Sequence, residues 1–158
     1  MTLTTHSVFG AMIAGTLATQ PVLALIGALG SHFVLDAIPH WDYQLFSNVQ
    51  KGKGIKLVFG RDFYFDLLRV GADALLGLVL SLLVYFSLSQ DHFWLIIIGG
   101  VIATLPDYLQ FFYGKFNWSI LGGLQRIHDY CHTEHKLNDR PLLGIGSQVI
   151  LVLITFVS

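Results

Sequence analysis

The chain is poor in charge and has only one cysteine. Only 12% of its residues are charged, the formal net charge is -1, and Cys131 is the single thiol. One cysteine excludes an internal disulfide. The cations are confined to two stretches, which excludes the basic face that a nucleic-acid-binding protein presents. Nucleic acid is therefore not expected among the partners.

Apolar residues dominate instead. They make up 54% of the chain, and the mean hydropathy is +0.64. One soluble core of 158 residues could not easily hide this much apolar surface. The composition therefore predicts an integral membrane protein, and a soluble all-helical core is the alternative. The N-terminal run has no basic stretch before it, so a cleaved signal peptide is not expected.

Five apolar runs organise residues 1–158 as a single membrane-embedded domain. The third and fourth are long enough to cross a bilayer, which takes about 20 helical residues. Pro21 is placed to open the second helix of a hairpin. The runs are Val8 to Thr19, Val22 to Ile38, Leu67 to Leu88, Phe93 to Tyr113 and Leu142 to Val157. The predicted fold class is an all-α integral membrane bundle of about five membrane segments, with an amphipathic cytoplasmic helix within Leu121 to Lys136.

The cations indicate an orientation. They gather between the second and third runs and between the fourth and fifth, whereas the other two connections contain none. By the positive-inside bias, the basic loops and the N-terminus are cytoplasmic, as expected for the inner membrane of a bacterium or an archaeon. The residues concerned are Lys51, Lys53, Lys56, Arg61, Lys115, Arg126, Lys136 and Arg140.

Most of the histidines and carboxylates fall at the same cytoplasmic end, although they were not used to assign the topology. Only Asp91 and His92 fall on the other side. His32 and Asp73 are expected on the order of 10 Å inside the helix ends. A charge at the bilayer centre costs at least about 2.5 kcal/mol, so such groups face the bundle interior and find a partner. A metal ion would be such a partner.

The spacing of these residues supports metal binding. His32 and Asp36 are four residues apart and share one helical face. His40 follows Pro39, so it is expected to fold over the helix end. An internal hydrogen bond is the alternative role for the His32 and Asp36 pair.

A second group of histidines has a similar spacing. His128, His132 and His135 are expected on one face of the amphipathic cytoplasmic helix. Neutral imidazole together with carboxylate suits zinc, manganese or iron rather than calcium. A simple interfacial location is the alternative for these three side chains.

The fourth apolar run contains Thr104-Leu105-Pro106-Asp107. A proline inside an apolar helix is expected to kink or break it. Asp107 would then point into a cavity in the bundle. The alternative is a helix end at the interface, with Asp107 in water.

Three short motifs together resemble the YdjM-like membrane-bound metal-dependent hydrolases, which are distantly similar to zinc-dependent phospholipase C. They are Thr5-His6-Ser7, the pattern Ser-His-x-x-x-Asp-x-x-Pro-His-x-Asp from Ser31 to Asp42, and Leu105-Pro106-Asp107. The resemblance extends roughly from His6 to His135. It implies metal binding by His6, His32, Asp36, Asp107 and the cluster from His128 to His135, and hydrolysis of a phosphoester at the membrane surface. The chain departs from the group at Tyr108-Leu109, where a second aspartate is usual, and within the later cluster.

A hydrolytic site of this kind assigns roles to the candidate residues. A divalent metal, zinc foremost with manganese or iron as alternatives, would activate water and polarise a phosphoryl oxygen. Asp107 or Glu134 would act as general base, and Arg69 or Arg126 would hold a phosphate of a membrane lipid or lipid-linked substrate. The candidate metal ligands are His6, His32, Asp36, His40, Asp73, His128, His132 and His135.

Two other functions are compatible with parts of the sequence. A small transporter or proton relay would use His32 and Asp73 with the helix break at Pro106. Such a path needs polar groups through the whole bilayer, and the outer halves of the segments have few. A non-catalytic membrane scaffold would explain the small residues in the helices, but it leaves the one-sided His and Asp cluster without a role.

Overall fold

The computed structural model describes residues 1–51, 54–88, 92–116 and 118–156, without the side chains of 48–51, 54–57 and 114–116. Lys53, Asp91 and Val157 lie outside the described residues, as do the side chains of Lys51, Lys56 and Lys115. The helices are α1 (Leu3–Thr16), α2 (Pro21–Asp36), α3 (Arg61–Ser87), α4 (Phe93–Phe116), α5 (Gly122–Cys131) and α6 (Pro141–Ile154), and a short 3-10 turn spans Ser119–Leu121. The predicted helical character is confirmed. A two-stranded antiparallel hairpin, β1 (Asn48–Lys51) and β2 (Gly54–Leu57), was not predicted.

Helix α1 is the central element of the bundle. It contacts α2, α3, α4 and α6, and Val8 and Ala11 on α1 are fully buried against Val84 of α3 and Ile96 of α4. The absence of a side chain at Gly10 lets α1 approach the backbone of α4 closely. Small residues permit this kind of backbone approach between helices. The candidate site is built around the end of α1 at which the chain begins.

Two described helices, α3 and α4, are long and apolar enough to cross a membrane. Helices α1, α2 and α6 contain 14, 16 and 14 residues. They are therefore shorter than the roughly 20 residues that a straight span requires. The structure thus gives two candidate spans among the described residues, where the sequence predicted about five.

The turn between α1 and α2 agrees with the predicted hairpin. Pro21 occupies the start of α2, where its missing N–H is not needed. The sequence predicted a kink or a break at Pro106. The break does not occur, because α4 runs from Phe93 to Phe116 with the proline inside it. Neighbouring groups in a bundle can compensate for the single lost helical hydrogen bond.

The segment after α5 leaves the helical path and pairs with the end of α2. Helix α5 ends at Cys131, and His132 has an extended backbone. The amide of Thr133 donates to the Asp36 carbonyl at 2.8 Å, and the amide of Leu137 donates to the His40 carbonyl at 2.8 Å. The predicted common helical face of the three later histidines is therefore wrong. Backbone pairing, rather than helix periodicity, determines where His132 lies.

Candidate metal centre

Asp36, the last residue of α2, lies at the centre of a group of imidazole rings. Its side chain is 1% exposed, so its carboxylate is out of contact with bulk water. The approaching nitrogens are Nε2 of His6 at 3.1 Å and of His40 at 3.9 Å from Oδ1, and Nε2 of His32 at 3.2 Å, of His128 at 3.3 Å and of His132 at 4.0 Å from Oδ2. The amino nitrogen of Met1 also lies 2.9 Å from Oδ1. Three separate stretches of the chain, around residue 6, from 32 to 40 and from 128 to 132, supply these five histidines.

One group of possible metal ligands comprises His32, Asp36, Asp107 and His128, with one ligand atom from each lying within 4.8 Å of the others. Oδ1 of Asp107 is 4.0 Å from Nε2 of His32 and 3.7 Å from Nε2 of His128. Ligand atoms about 2.1 Å from a tetrahedral zinc ion stand about 3.4 Å apart. The separations in this group bracket that value, so the four donors fit a tetrahedral ion after small shifts.

A second group comprises Asp36, His40 and His132. The Nε2 atoms of the two histidines lie 3.9 and 4.0 Å from oxygens of Asp36. These separations are also close to those of neighbouring ligands on one ion. Asp36 belongs to both groups, so its carboxylate would be a ligand in either of them.

Backbone carbonyls orient three of the rings. Nδ1 of His32 lies 2.9 Å from the Ala103 carbonyl oxygen, and Nδ1 of His40 lies 2.8 Å from that of Ile38. Nδ1 of His132 lies 3.1 Å from the carbonyl oxygen of Thr133. A carbonyl only accepts hydrogen bonds, so Nδ1 carries a proton in each ring, and in the neutral form of the ring the Nε2 lone pair is available to a metal ion. Histidine ligands in metal proteins are held in this way.

Several buried polar atoms at the centre have no hydrogen-bond partner among the described residues. They include Nε2 of His32, Nε2 of His40 and Oδ2 of Asp107. Leaving a buried polar atom unsatisfied costs about 1–3 kcal/mol. A cation would satisfy the two imidazole nitrogens, so the donor set fits a divalent metal ion. The mixture of imidazole and carboxylate suits zinc, manganese or iron.

The imidazole rings of His40 and His128 have different pKa values. Burial lowers the pKa of His40 to about 4, so this imidazole is neutral at physiological pH. Burial also acts to lower the pKa of His128, but the hydrogen bond to Asp36 and the charge of Asp107 outweigh it. The net effect raises the pKa of His128. Asp36 and Asp107, which both face His128, therefore favour positive charge on that ring.

His6 lies in neither ligand group. Its ring stacks on that of His32, with 4.1 Å between the ring centroids, and its Nε2 lies within hydrogen-bond distance of Asp36. Carboxylate ligands are usually held by such outer hydrogen bonds. In this position His6 orients Asp36 and covers one side of His32.

Asp73 is also away from both ligand groups, and its carboxylate serves another purpose. Its oxygens accept hydrogen bonds from the amides of Leu3 at 2.7 Å and Thr4 at 3.2 Å, and from the Thr4 hydroxyl at 2.6 Å. A carboxylate at this position satisfies the open donors at the start of α1 and complements its dipole. Asp73 thus positions the helix that carries His6.

The remaining candidates lie outside the centre. Glu134 and His135 are exposed, and neither belongs to a ligand group in the described part of the chain. Arg126 is exposed on α5, whereas His128 on the same helix is buried. Arg69 lines a separate recess at the start of α3.

Gln148 is a structural residue that the sequence analysis did not single out. From the middle of α6, its Oε1 accepts from the amide of Thr2 at 3.0 Å, and its Nε2 donates to the carbonyl of Trp41 at 2.8 Å. It thereby connects α1 to the segment that follows α2. A lone amide in an otherwise apolar helix is a signal that could have identified it.

Comparison with known proteins finds no relative of this chain. No family model matches the chain, and neither a curated protein nor a solved structure matches it.

Proposed function

We propose that this protein is a membrane-bound metal-dependent hydrolase that cleaves a phosphoester of a lipid or lipid-linked substrate, as its resemblance to YdjM-like hydrolases implies. The observation that carries the proposal is the buried carboxylate of Asp36, which faces Nε2 atoms of five histidines. Three of these rings have the protonated Nδ1 directed at a backbone carbonyl. Such an array of oriented lone pairs around a carboxylate is suited to binding a cation.

The membrane part of the proposal rests on the outer surface of the bundle. Within the apolar window of α3, only 17% of the residues are buried inside the protein. The exposed apolar side chains of this helix include Leu67, Leu68, Leu75, Leu76, Val79 and Leu83. An exposed apolar surface this long marks contact with a membrane or another protein. We assign it to the bilayer, with α3 and α4 crossing and the shorter helices packed beside them as the remaining membrane segments.

The chemistry follows from the two ligand groups. His32, Asp36, Asp107 and His128 would hold one divalent ion, and Asp36, His40 and His132 would hold a second. A divalent ion supplies a lowered pKa for water and polarises a phosphoryl oxygen. Zinc is the first choice because its usual ligands are imidazole and carboxylate, with manganese or iron as alternatives.

Asp107 is the best candidate for the general base. Its side chain is 23% exposed, whereas those of His32, Asp36 and His128 are at most 4% exposed. Oδ1 faces the imidazoles, and Oδ2 has no hydrogen bond to any described residue. Oδ2 is buried, so it would accept a proton from a water molecule bound beside it within the centre. Glu134 lies on the exposed segment after α5 and is the less suitable base.

The decisive experiment is the metal content of the detergent-purified protein, measured by elemental mass spectrometry. Wild type, His32→Ala and Asp36→Ala would be compared with His135→Ala, an exposed histidine outside both ligand groups. We expect stoichiometric zinc, manganese or iron in wild type and His135→Ala, loss of all metal in Asp36→Ala, and loss of the ion of the first group in His32→Ala. Hydrolysis of lipid phosphates by the loaded protein, abolished by Asp107→Asn in samples that retain the metal, would then establish the reaction. A folded protein that stays metal-free under metal-replete purification would overturn the proposal and favour the proton-relay or scaffold function.

A further inference from the structure

A second polar feature lies at the start of α3, apart from the metal centre. It is an open recess of about 520 Å³, lined by Phe46, Arg61, Asp62, Phe65 and Arg69. Arg61, Phe65 and Arg69 are spaced four residues apart, so they form one ridge along the first turns of α3. Phe46 comes from the segment between α2 and β1. We refer to these five residues as the arginine recess.

Aromatic rings hold both guanidinium groups at the recess. The Cζ atom of Arg61 lies 5.4 Å from the ring centroid of Phe65, and that of Arg69 lies 5.3 Å from the centroid of Phe46. Arg69 is also 6.0 Å from the centroid of Tyr43. These distances are those of cation–π contacts, which restrain a guanidinium without using its N–H donors.

The segment that contains Phe46 is held against α3 by a separate hydrogen bond. The amide of Ser47 donates to Oδ2 of Asp66 at 2.7 Å, and both groups are buried. The position of Phe46 over Arg69 therefore does not depend on a ligand. The recess is a preformed feature of the fold.

The N–H donors of both arginines remain largely available. Within the described residues, neither guanidinium lies within 4.0 Å of a carboxylate oxygen, and the hydrogen bond from Arg69 to the Gln44 carbonyl is long, at 3.5 Å. Each planar guanidinium group at the recess can bind phosphate oxygens through paired N–H donors.

The recess also lies where a lipid headgroup would be. It opens at the first residues of the candidate span α3, which begins at Arg61. The exposed rings of Phe46 and Phe65 line it, and the exposed Phe59 and Tyr64 are close to Arg61 in the chain. Aromatic and basic side chains together are typical of the membrane–water interface. Helical side chains lean toward the helix N-terminus, so Arg69 extends toward this same interface.

We propose that the arginine recess binds the phosphate of a singly anionic phospholipid whose headgroup carries hydroxyl groups. Asp62 and Asp66 determine whether the recess prefers a singly or a doubly charged phosphate group. The carboxylates of Asp62, which lines the recess, and of Asp66, which interacts with Arg69, offset the two guanidinium charges, and this favours a phosphodiester over a doubly charged phosphomonoester. The Asp62 carboxylate accepts a hydrogen bond from a headgroup hydroxyl. This site requires the membrane location proposed above but not the metal chemistry.

Native mass spectrometry of the full chain in detergent would test the site by titration with phosphatidylglycerol, phosphatidylcholine and phosphatidic acid. Arg61→Gln and Arg69→Gln are each expected to weaken phosphatidylglycerol binding about five-fold, the usual effect of one basic residue near an anionic lipid surface. Arg69→Lys keeps the charge but loses the planar stacking, so it is expected to recover only part of the affinity. Asp62→Asn is expected to improve phosphatidic acid binding relative to phosphatidylglycerol.

Arg140→Gln is the matched control, because Arg140 is exposed and lies outside the recess. It removes one positive charge and is expected to leave lipid binding unchanged. If Arg140→Gln and Arg69→Gln weakened lipid binding equally, the effect would come from net charge alone, and the proposal of a specific site would be contradicted. Displacement of the lipid by millimolar inorganic phosphate would overturn the lipid assignment in favour of a soluble phosphate. Metal content measured on the same samples separates a failure of this site from a failure of the metal centre, and an unchanged melting temperature shows that each variant is folded.

Discussion

The backbone amide of Leu3 donates a hydrogen bond of 2.7 Å to Oδ2 of Asp73, and this contact joins the first turn of α1 to the middle of α3. Thr4 contributes two further hydrogen bonds to the same carboxylate. These hydrogen bonds fix the position of the start of α1 along the length of α3. His6, in the same turn of α1, is placed within 3.1 Å of Asp36 as a result.

Asp73→Asn tests this positioning role. The amide side chain lacks the negative charge and turns one acceptor into a donor, so the N-terminal amides of α1 lose part of their pairing. We expect the free energy of unfolding to fall by about 1–3 kcal/mol. The thermal midpoint in detergent measures the change. Asp139→Asn is the control, because its side chain is 75% exposed. If Asp73 were a metal ligand instead, the variant would lose metal without losing stability.

The sharing of Asp36 between two ligand groups predicts a specific pattern of metal stoichiometry. We expect Asp36→Ala to lose both ions, His40→Ala to keep only the ion of the first group, and His128→Ala to keep only that of the second. Elemental analysis per mole of protein gives the counts. A wild type that binds one ion, lost equally in all three variants, would show that the two groups form a single site.

Gly10→Ala is expected to disrupt the contact between α1 and α4. A Cβ atom at Gly10 would lie 2.6 Å from the Gly99 carbonyl oxygen and would overlap the side chain of Ala103. Backbone cannot move away as a flexible side chain can, so we expect a loss of about 1–3 kcal/mol in unfolding free energy.

Gly30→Ala in α2 is the matched control for that substitution. No atom lies within 4 Å of a Cβ at this position. Because alanine is the better helix former, we expect Gly30→Ala to leave stability unchanged or to raise it by about 0.5–1 kcal/mol. Equal thermal midpoints for the two variants would contradict the close approach of α1 to α4.

Gln148→Leu tests the link between α6 and the rest of the bundle. Leucine keeps most of the volume but leaves the amide of Thr2 and the carbonyl of Trp41 without their partner. We expect a loss of about 1–3 kcal/mol, measured by thermal unfolding. Ser147→Ala is the control, because that hydroxyl bonds only to the Gly144 carbonyl of its own helix. A similar loss in both variants would indicate a general sensitivity of α6.

The local features of the site were predictable from the sequence. The pairing of His32 with Asp36 follows from helical periodicity, since residues four apart share a face, and the structure places their side chains 3.2 Å apart. The start of α2 at Pro21 follows from the fixed backbone angle of proline. The inward direction of Asp107 was one of two alternatives, tied to a kink or break at Pro106; the structure places its Oδ1 toward the imidazoles of His32 and His128 in an unbroken helix. The first two features depend on residues close together in the chain.

Only the tertiary structure decided which of the remaining polar residues join that pair. His132 reaches Asp36 because the segment after α5 pairs with the end of α2, and no spacing within α5 predicts that pairing. The sequence predicted Asp73 as a metal ligand. Its carboxylate instead accepts a hydrogen bond from the amide of Leu3 at the start of α1, 70 residues away in the chain. Composition and periodicity determined that the chain is helical and apolar, with a one-sided cluster of His and Asp. The selection among these residues depends on contacts between distant segments, which form only when the helices pack.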